Sequence, residues 1–148
     1  MYRLAESGVP VSSRGYGWSR SRAQHRLWSV EEGHVDQSEY VKVINATEIN
    51  LGFLRKGARD QQTPRSIEIP GCQAFMLAER TSEHQALFTE GVEAEFFEGF
   101  DELLQKCRRY LSDPEARAQI ARAGFDRCRA SGYSNRDRLA SVLEALPR

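Results

Sequence analysis

The densest chemistry in the 148-residue chain lies in one polar segment, Leu54-Arg55-Lys56-Gly57-Ala58-Arg59-Asp60-Gln61-Gln62-Thr63-Pro64-Arg65-Ser66-Ile67-Glu68-Ile69-Pro70. It follows the run Ile49-Asn50-Leu51-Gly52-Phe53, which reads as a strand, and leads into a helix expected to begin near Thr63-Pro64. Thr63 would supply the cap and Pro64 suits the first helical position. In open α/β sheets ligands bind where a strand's carboxyl end meets a helix. Free backbone N–H groups and the helix dipole at Thr63 to Ser66 favour a phosphate there. Arg55, Lys56, Arg59 and Arg65 add positive charge, and arginine grips phosphate oxygens in pairs. A bound diphosphate fits this chemistry. Glu68, one turn into the helix, can accept two hydrogen bonds from a vicinal diol such as a ribose. The same residues also read as a solvated loop, with Glu68 pairing with a surface arginine.

The other reactive side chains are scattered. Cys72, Cys107 and Cys128 form no Cys-x-x-Cys pair and read as small hydrophobes. His25, His34 and His84 share no helical spacing, so no metal site is expected. Lys plus Arg (21) equals Asp plus Glu (21), which leaves no global field for nucleic acid or an anionic membrane. The arginines are interleaved with acids and lack an aromatic-rich sheet motif, which disfavours nucleic-acid binding further. The apolar run Ala74 to Ala78 is far shorter than the roughly 20 residues of a membrane span. With no apolar segment of signal-peptide length at the start, the expected compartment is the cytoplasm.

Local charge is uneven. Residues 1 to 30 hold five arginines against Glu6, and 89 to 105 hold six acids without a base. From 106 to 138 nine bases and four acids sit at intervals that suit the solvent face of helices. No repeat, Gly/Ser linker or Pro-rich tract divides the chain, so residues 1 to 148 form one domain.

The elements that must position the polar segment alternate. Val9 to Ser13 and Arg26 to Val30 read as short strands, the first followed by the turn-rich Gly15-Tyr16-Gly17. Ser38 is expected to cap a helix reaching about Thr47. Phe75 to Ala78 and Ala94 to Phe97 are apolar strands, and such runs separated by helices point to a parallel sheet covered on both faces. Phe100, Leu103, Leu104, Cys107 and Leu111 mark one face of a helix. Asp113-Pro114-Glu115 starts a second helix that ends at Ser131-Gly132. Leu139, Val142, Leu143 and Leu146 mark a third after Ser134, each stripe reading as a core-packing face.

The runs Ile49 to Lys56, Arg59 to Thr63, Arg65 to Pro70 and Phe75 to Thr81 closely resemble the carboxyl-terminal domain of group 1 glycosyltransferases of the spore maturation protein CgeB-like type. The resemblance continues through Glu83-His84, Leu87-Phe88, Gly91, Glu93-Ala94, Phe96-Phe97, Asp113 to Arg117 and Tyr133-Ser134, and begins weakly at Gly8 to Val11 and Gly15 to Trp18. It implies a nucleotide-sugar-binding, Rossmann-like half of a GT-B enzyme with helices on both faces of a parallel sheet. An acidic residue, seven intervening residues and a Glu face the donor in that family, and Asp60 and Glu68 stand at this spacing. Glu68 would then hold the ribose hydroxyls, and Asp60 or Gln61 would lie near the donor sugar. Arg55, Lys56 or Arg59 would lie near the diphosphate. The resemblance implies no tightly bound metal, because basic side chains and the helix dipole stabilise the leaving diphosphate. Asp60 replaces the family's first Glu, and Gly71-Cys72-Gln73 replaces Ala-Cys-Gly.

The same resemblance implies an amino-terminal acceptor domain beyond this chain, and a first strand ahead of the helix ending near Ser7. A central strand would then be missing from the sheet. The expectation is a truncated product, a fragment, or a chain completed by a strand from elsewhere. Two functional classes follow: the donor-binding domain of a glycosyltransferase, active only with its amino-terminal domain or a complementing chain, and a non-catalytic remnant or interaction module of the same fold.

Overall fold

The computed structural model describes residues 1–16, 28–31, 33 and 35–146. The elements run α1 (Tyr2–Glu6), β1 (Val11–Arg14), β2 (Trp28–Glu31), α2 (Gln37–Ala46), β3 (Asn50–Gly52), a 3-10 turn (Lys56–Ala58), α3 (Arg65–Gly71), β4 (Met76–Glu79), α4 (Ser82–Leu87), β5 (Glu95–Phe97), α5 (Phe100–Leu111), α6 (Pro114–Ala130) and α7 (Asn135–Ala145). Arg26 and Leu27 of the expected second strand, Gly17 and Trp18 of the expected turn and its sequel, and His25 and His34 lie outside the described residues.

Among the described residues the strand pairings are parallel, as the helices between β3, β4 and β5 require. β3, β4 and β5 form one sheet in that order, with Leu51 opposite Leu77 and Ala78 opposite Phe96. β1 and β2 form a separate pair, with Ser13 opposite Val30. The apolar run of β4 is explained by burial on both faces. Phe75 and Leu77 join Leu4, Val9, Phe97, Leu103, Cys107 and Tyr110 on one side. Met76 and Ala78 join Ile44, Ile69, Phe88, Phe96 and Cys128 on the other. Helices therefore cover both faces of a Rossmann-like parallel sheet.

α6 packs closely on α3 because residue 124 is a glycine. A Cβ there would lie 2.4 Å from the Glu93 carbonyl oxygen and 3.4 Å from the Pro70 side chain. Asp113 caps α6 through the Ala116 N–H, as the sequence predicts, and Ser134 caps α7 through the Asp137 N–H.

Three local expectations are corrected. Asp36, not Ser38, caps α2: its carboxylate accepts from the backbone N–H groups of both Ser38 and Glu39. Ser38 serves as a helical residue whose hydroxyl also bonds Asp36. Thr63 does not cap α3; its own N–H donates to the Ser66 hydroxyl, 3.0 Å away, so the side chain that closes this turn comes from inside the helix. Finally, Leu139, Val142, Leu143 and Leu146 do not pack into the core. They are 57 to 61% exposed, because no described element lies against that stripe of α7.

The three thiols are free; Cys107 and Cys128 are buried and Cys72 half-buried. Burial pushes the Cys107 and Cys128 thiols up to about 11.

Candidate functional site

The chain leaves β3 at Gly52, crosses a loop and enters α3 at Arg65, so the polar segment sits over the carboxyl ends of the strands. Two contacts tie it to the end of β4. The Leu54 N–H donates to Glu79 Oε1 at 3.1 Å, and the Thr81 hydroxyl donates to the Gln61 carbonyl at 2.6 Å.

Within the loop Arg55 Nε donates to Asp60 Oδ2 at 3.0 Å. Arg55 is largely exposed while the Asp60 side chain is 17% exposed, so the carboxylate is the anchored partner. Lys56 lies in the 3-10 turn, and Arg59 closes that turn in the left-handed conformation, with φ of 55°. Lys56, Arg59, Gln61 and Arg65 are exposed, and Thr63 is half-buried. Asp60 offsets one of four basic side chains, Arg55, Lys56, Arg59 and Arg65, so the loop keeps a positive balance.

Glu68 is exposed on α3 and accepts a hydrogen bond from the Tyr40 hydroxyl at 2.7 Å. Burial, then the bond to Glu68, pushes the Tyr40 phenol up to about 12, which keeps it a donor at neutral pH. The partner of Glu68 is thus a tyrosine on α2, 28 residues away, and not the arginine that a solvated surface suggests. Asp60 and Glu68, both expected to face the donor, take different partners. Thr63 and Arg65 also line a cavity of about 820 Å³ walled by β1 and β3.

Sequence reading misses the support behind the loop. Ser66 and His84 are both buried, and their side chains meet at 2.7 Å. His84 Nδ1 lies 2.6 Å from the Glu79 carbonyl, which fixes the proton on that nitrogen because a carbonyl only accepts. In the neutral ring Nε2 then accepts from Ser66, whose oxygen accepts from Thr63. The sequence carried one signal of this, the capping pattern Thr81-x-x-His84, confirmed by the Thr81 hydroxyl accepting from the His84 N–H.

Behind this layer three of the six acids of 89 to 105, Glu90, Glu95 and Glu102, turn inward, while Glu98 and Asp101 stay exposed. Glu90 and Glu102 converge on Arg80, and Glu90, Glu95 and Glu102 on Lys106. Arg80 first of all holds the Glu102 carboxyl down at about 2. Among the described residues no three His, Cys, Asp or Glu side chains gather as a metal-ligand group. No helix among them is long and apolar enough to cross a membrane.

A parallel α/β sheet layered by helices, with a basic loop at the carboxyl ends of its strands, defines a Rossmann-like domain. The family model described as glycosyl transferase-like matches residues 2–144, and the chain belongs to that family. No curated protein matches the chain.

Proposed function

We propose that the chain is the donor-binding domain of a glycosyltransferase of the CgeB-like type, which holds a nucleoside-diphosphate sugar for transfer to an acceptor. The reading is carried by one observation: the net-basic loop from Arg55 to Arg65 and the carboxylate of Glu68 flank the same turn, at the carboxyl ends of parallel strands. Arg55, Lys56, Arg59 and Arg65 stabilise the diphosphate, including the charge that builds as it leaves. Glu68 takes the ribose hydroxyls. Tyr40 occupies Oε2, so Glu68 is oriented with Oε1 open to the nucleoside. Asp60 and Gln61 lie nearer the donor sugar, and Thr63 shapes the turn between them and α3. Catalysis needs an amino-terminal domain or a complementing chain that brings the acceptor. Nucleotide-sugar chemistry and three unpaired thiols suit a cytoplasmic protein.

Isothermal calorimetry of the folded chain with uridine and guanosine diphosphates tests the reading. Binding of one of them, weakened by Glu68→Ala, is expected. A folded chain that binds no nucleoside diphosphate would sink the proposal.

A further inference from the structure

We infer that Phe53 and Glu79 form a subsite for the hexopyranosyl group of the donor, the ring stacking on the sugar's apolar face and the carboxylate accepting from its hydroxyls. The inference rests on the donor reading above and adds two residues to it. Gly52 pairs with Ala78 and Glu79 with Phe97, so Phe53, Glu79 and Phe97 stand in one row across the carboxyl end of the sheet. Side chains alternate between faces along a strand, which puts this row on the face of Leu51 and Leu77.

Both side chains are held in place yet incompletely used. Phe53 is 43% exposed, although its ring meets the buried Phe97 ring at 71° with centroids 5.8 Å apart. That contact fixes the ring and leaves part of it open to solvent. Glu79 is half-buried; its carbonyl is bonded by His84, and its carboxylate accepts from the Leu54 N–H at 3.1 Å. Among the described residues no basic side chain pairs with it, whereas Glu90, Glu95 and Glu102 converge on Arg80 and Lys106. A carboxylate accepts about four hydrogen bonds, so a half-buried one with a single donor and no ion pair has capacity to spare.

A pyranose meets both needs. The C–H groups on its apolar face are weakly positive and match the negative face of an aromatic ring, while its vicinal hydroxyls donate to a carboxylate. The nucleoside belongs at the other end. Glu68, which takes the ribose, is on α3, whose Ile69 packs with Met76 and Ala78 on the opposite face of the sheet. The basic loop runs from Phe53 to that helix. A donor whose ribose meets Glu68 and whose diphosphate lies along the loop therefore carries its sugar towards Phe53 and Glu79.

The test is calorimetry of the full chain with uridine diphosphate against UDP-glucose, and with guanosine diphosphate against GDP-mannose. Glu79→Gln should lower affinity for the sugar nucleotide about tenfold and Phe53→Ala about fivefold, with affinity for the free diphosphate changed by less than about twofold. Glu79→Gln retains an oxygen to accept from Leu54, so the tie between loop and β4 is kept. Phe53→Trp retains a stacking face and should hold the native ratio. Equal losses of diphosphate and sugar nucleotide, a sugar-nucleotide affinity that either variant leaves unchanged, or a native chain that binds the diphosphate but no sugar nucleotide would overturn the subsite alone. A folded native chain that binds neither ligand would overturn the donor reading and the subsite together.

Discussion

His84 on α4 and Ser66 on α3 share a buried hydrogen bond of 2.7 Å, and through it the turn at Thr63 is tied to the end of β4. Removing either side chain leaves a buried polar partner unmet. His84→Ala should lower stability by about 2 to 3 kcal/mol and Ser66→Ala by about 1 to 2 kcal/mol. The double variant should cost clearly less than the sum, because both single changes break one shared bond. Urea denaturation of the three variants measures this, and full additivity would show that the two side chains do not act together.

Glu68→Ala should weaken nucleoside-diphosphate binding by about 1.5 to 3 kcal/mol, the scale of a hydrogen bond to a charged group. Tyr40→Phe removes the hydroxyl that orients Glu68 and should cost about 0.5 to 1.5 kcal/mol. Calorimetric titration of both variants gives the order of the two effects, and a larger loss from Tyr40→Phe would contradict it.

Acid sensitivity should concentrate on Glu102. Its carboxyl is held at about 2, against an ordinary 4.5, by hydrogen bonding to Arg80 first. A depressed carboxylate stabilises the fold above the unfolded value, and that contribution drains away as pH falls from 4.5 towards 2. Glu102→Gln should therefore be less stable than the native chain at pH 6, and should lose less of its remaining stability between pH 4.5 and 2. Thermal melts across that range test both statements.

Gln73 turns the chain from α3 into β4 with φ of 58°, a left-handed conformation that glycine adopts without strain. Gln73→Gly should raise stability by about 0.5 to 1 kcal/mol, the relief of the Cβ clash less the added freedom of the unfolded chain. An unchanged or lower melting temperature would count against this account of the turn.

The apolar stripe of α7 makes the opposite prediction to a core. Leu143 is 60% exposed, and Leu143→Asp should change stability by no more than about 0.5 kcal/mol. A loss of several kcal/mol would mean that the stripe is buried in solution.

The sequence by itself determined the local elements and their alternation. A proline after Asp113, a serine before α7 and the recurring apolar residues of α5 act within a turn or two of the chain, so caps and periodicity can be read directly. The polar segment from Arg55 to Glu68 was legible for the same reason, as a cluster contiguous in sequence. Only the tertiary structure decided which partners those residues meet. It placed Tyr40 against Glu68, His84 against Ser66, and the acids around Arg80 and Lys106. It also left the stripe of α7 in solvent and set Phe53, Glu79 and Phe97 in one row at the carboxyl end of the sheet. Periodicity records that a face is apolar, but what that face meets depends on elements brought together from distant parts of the chain.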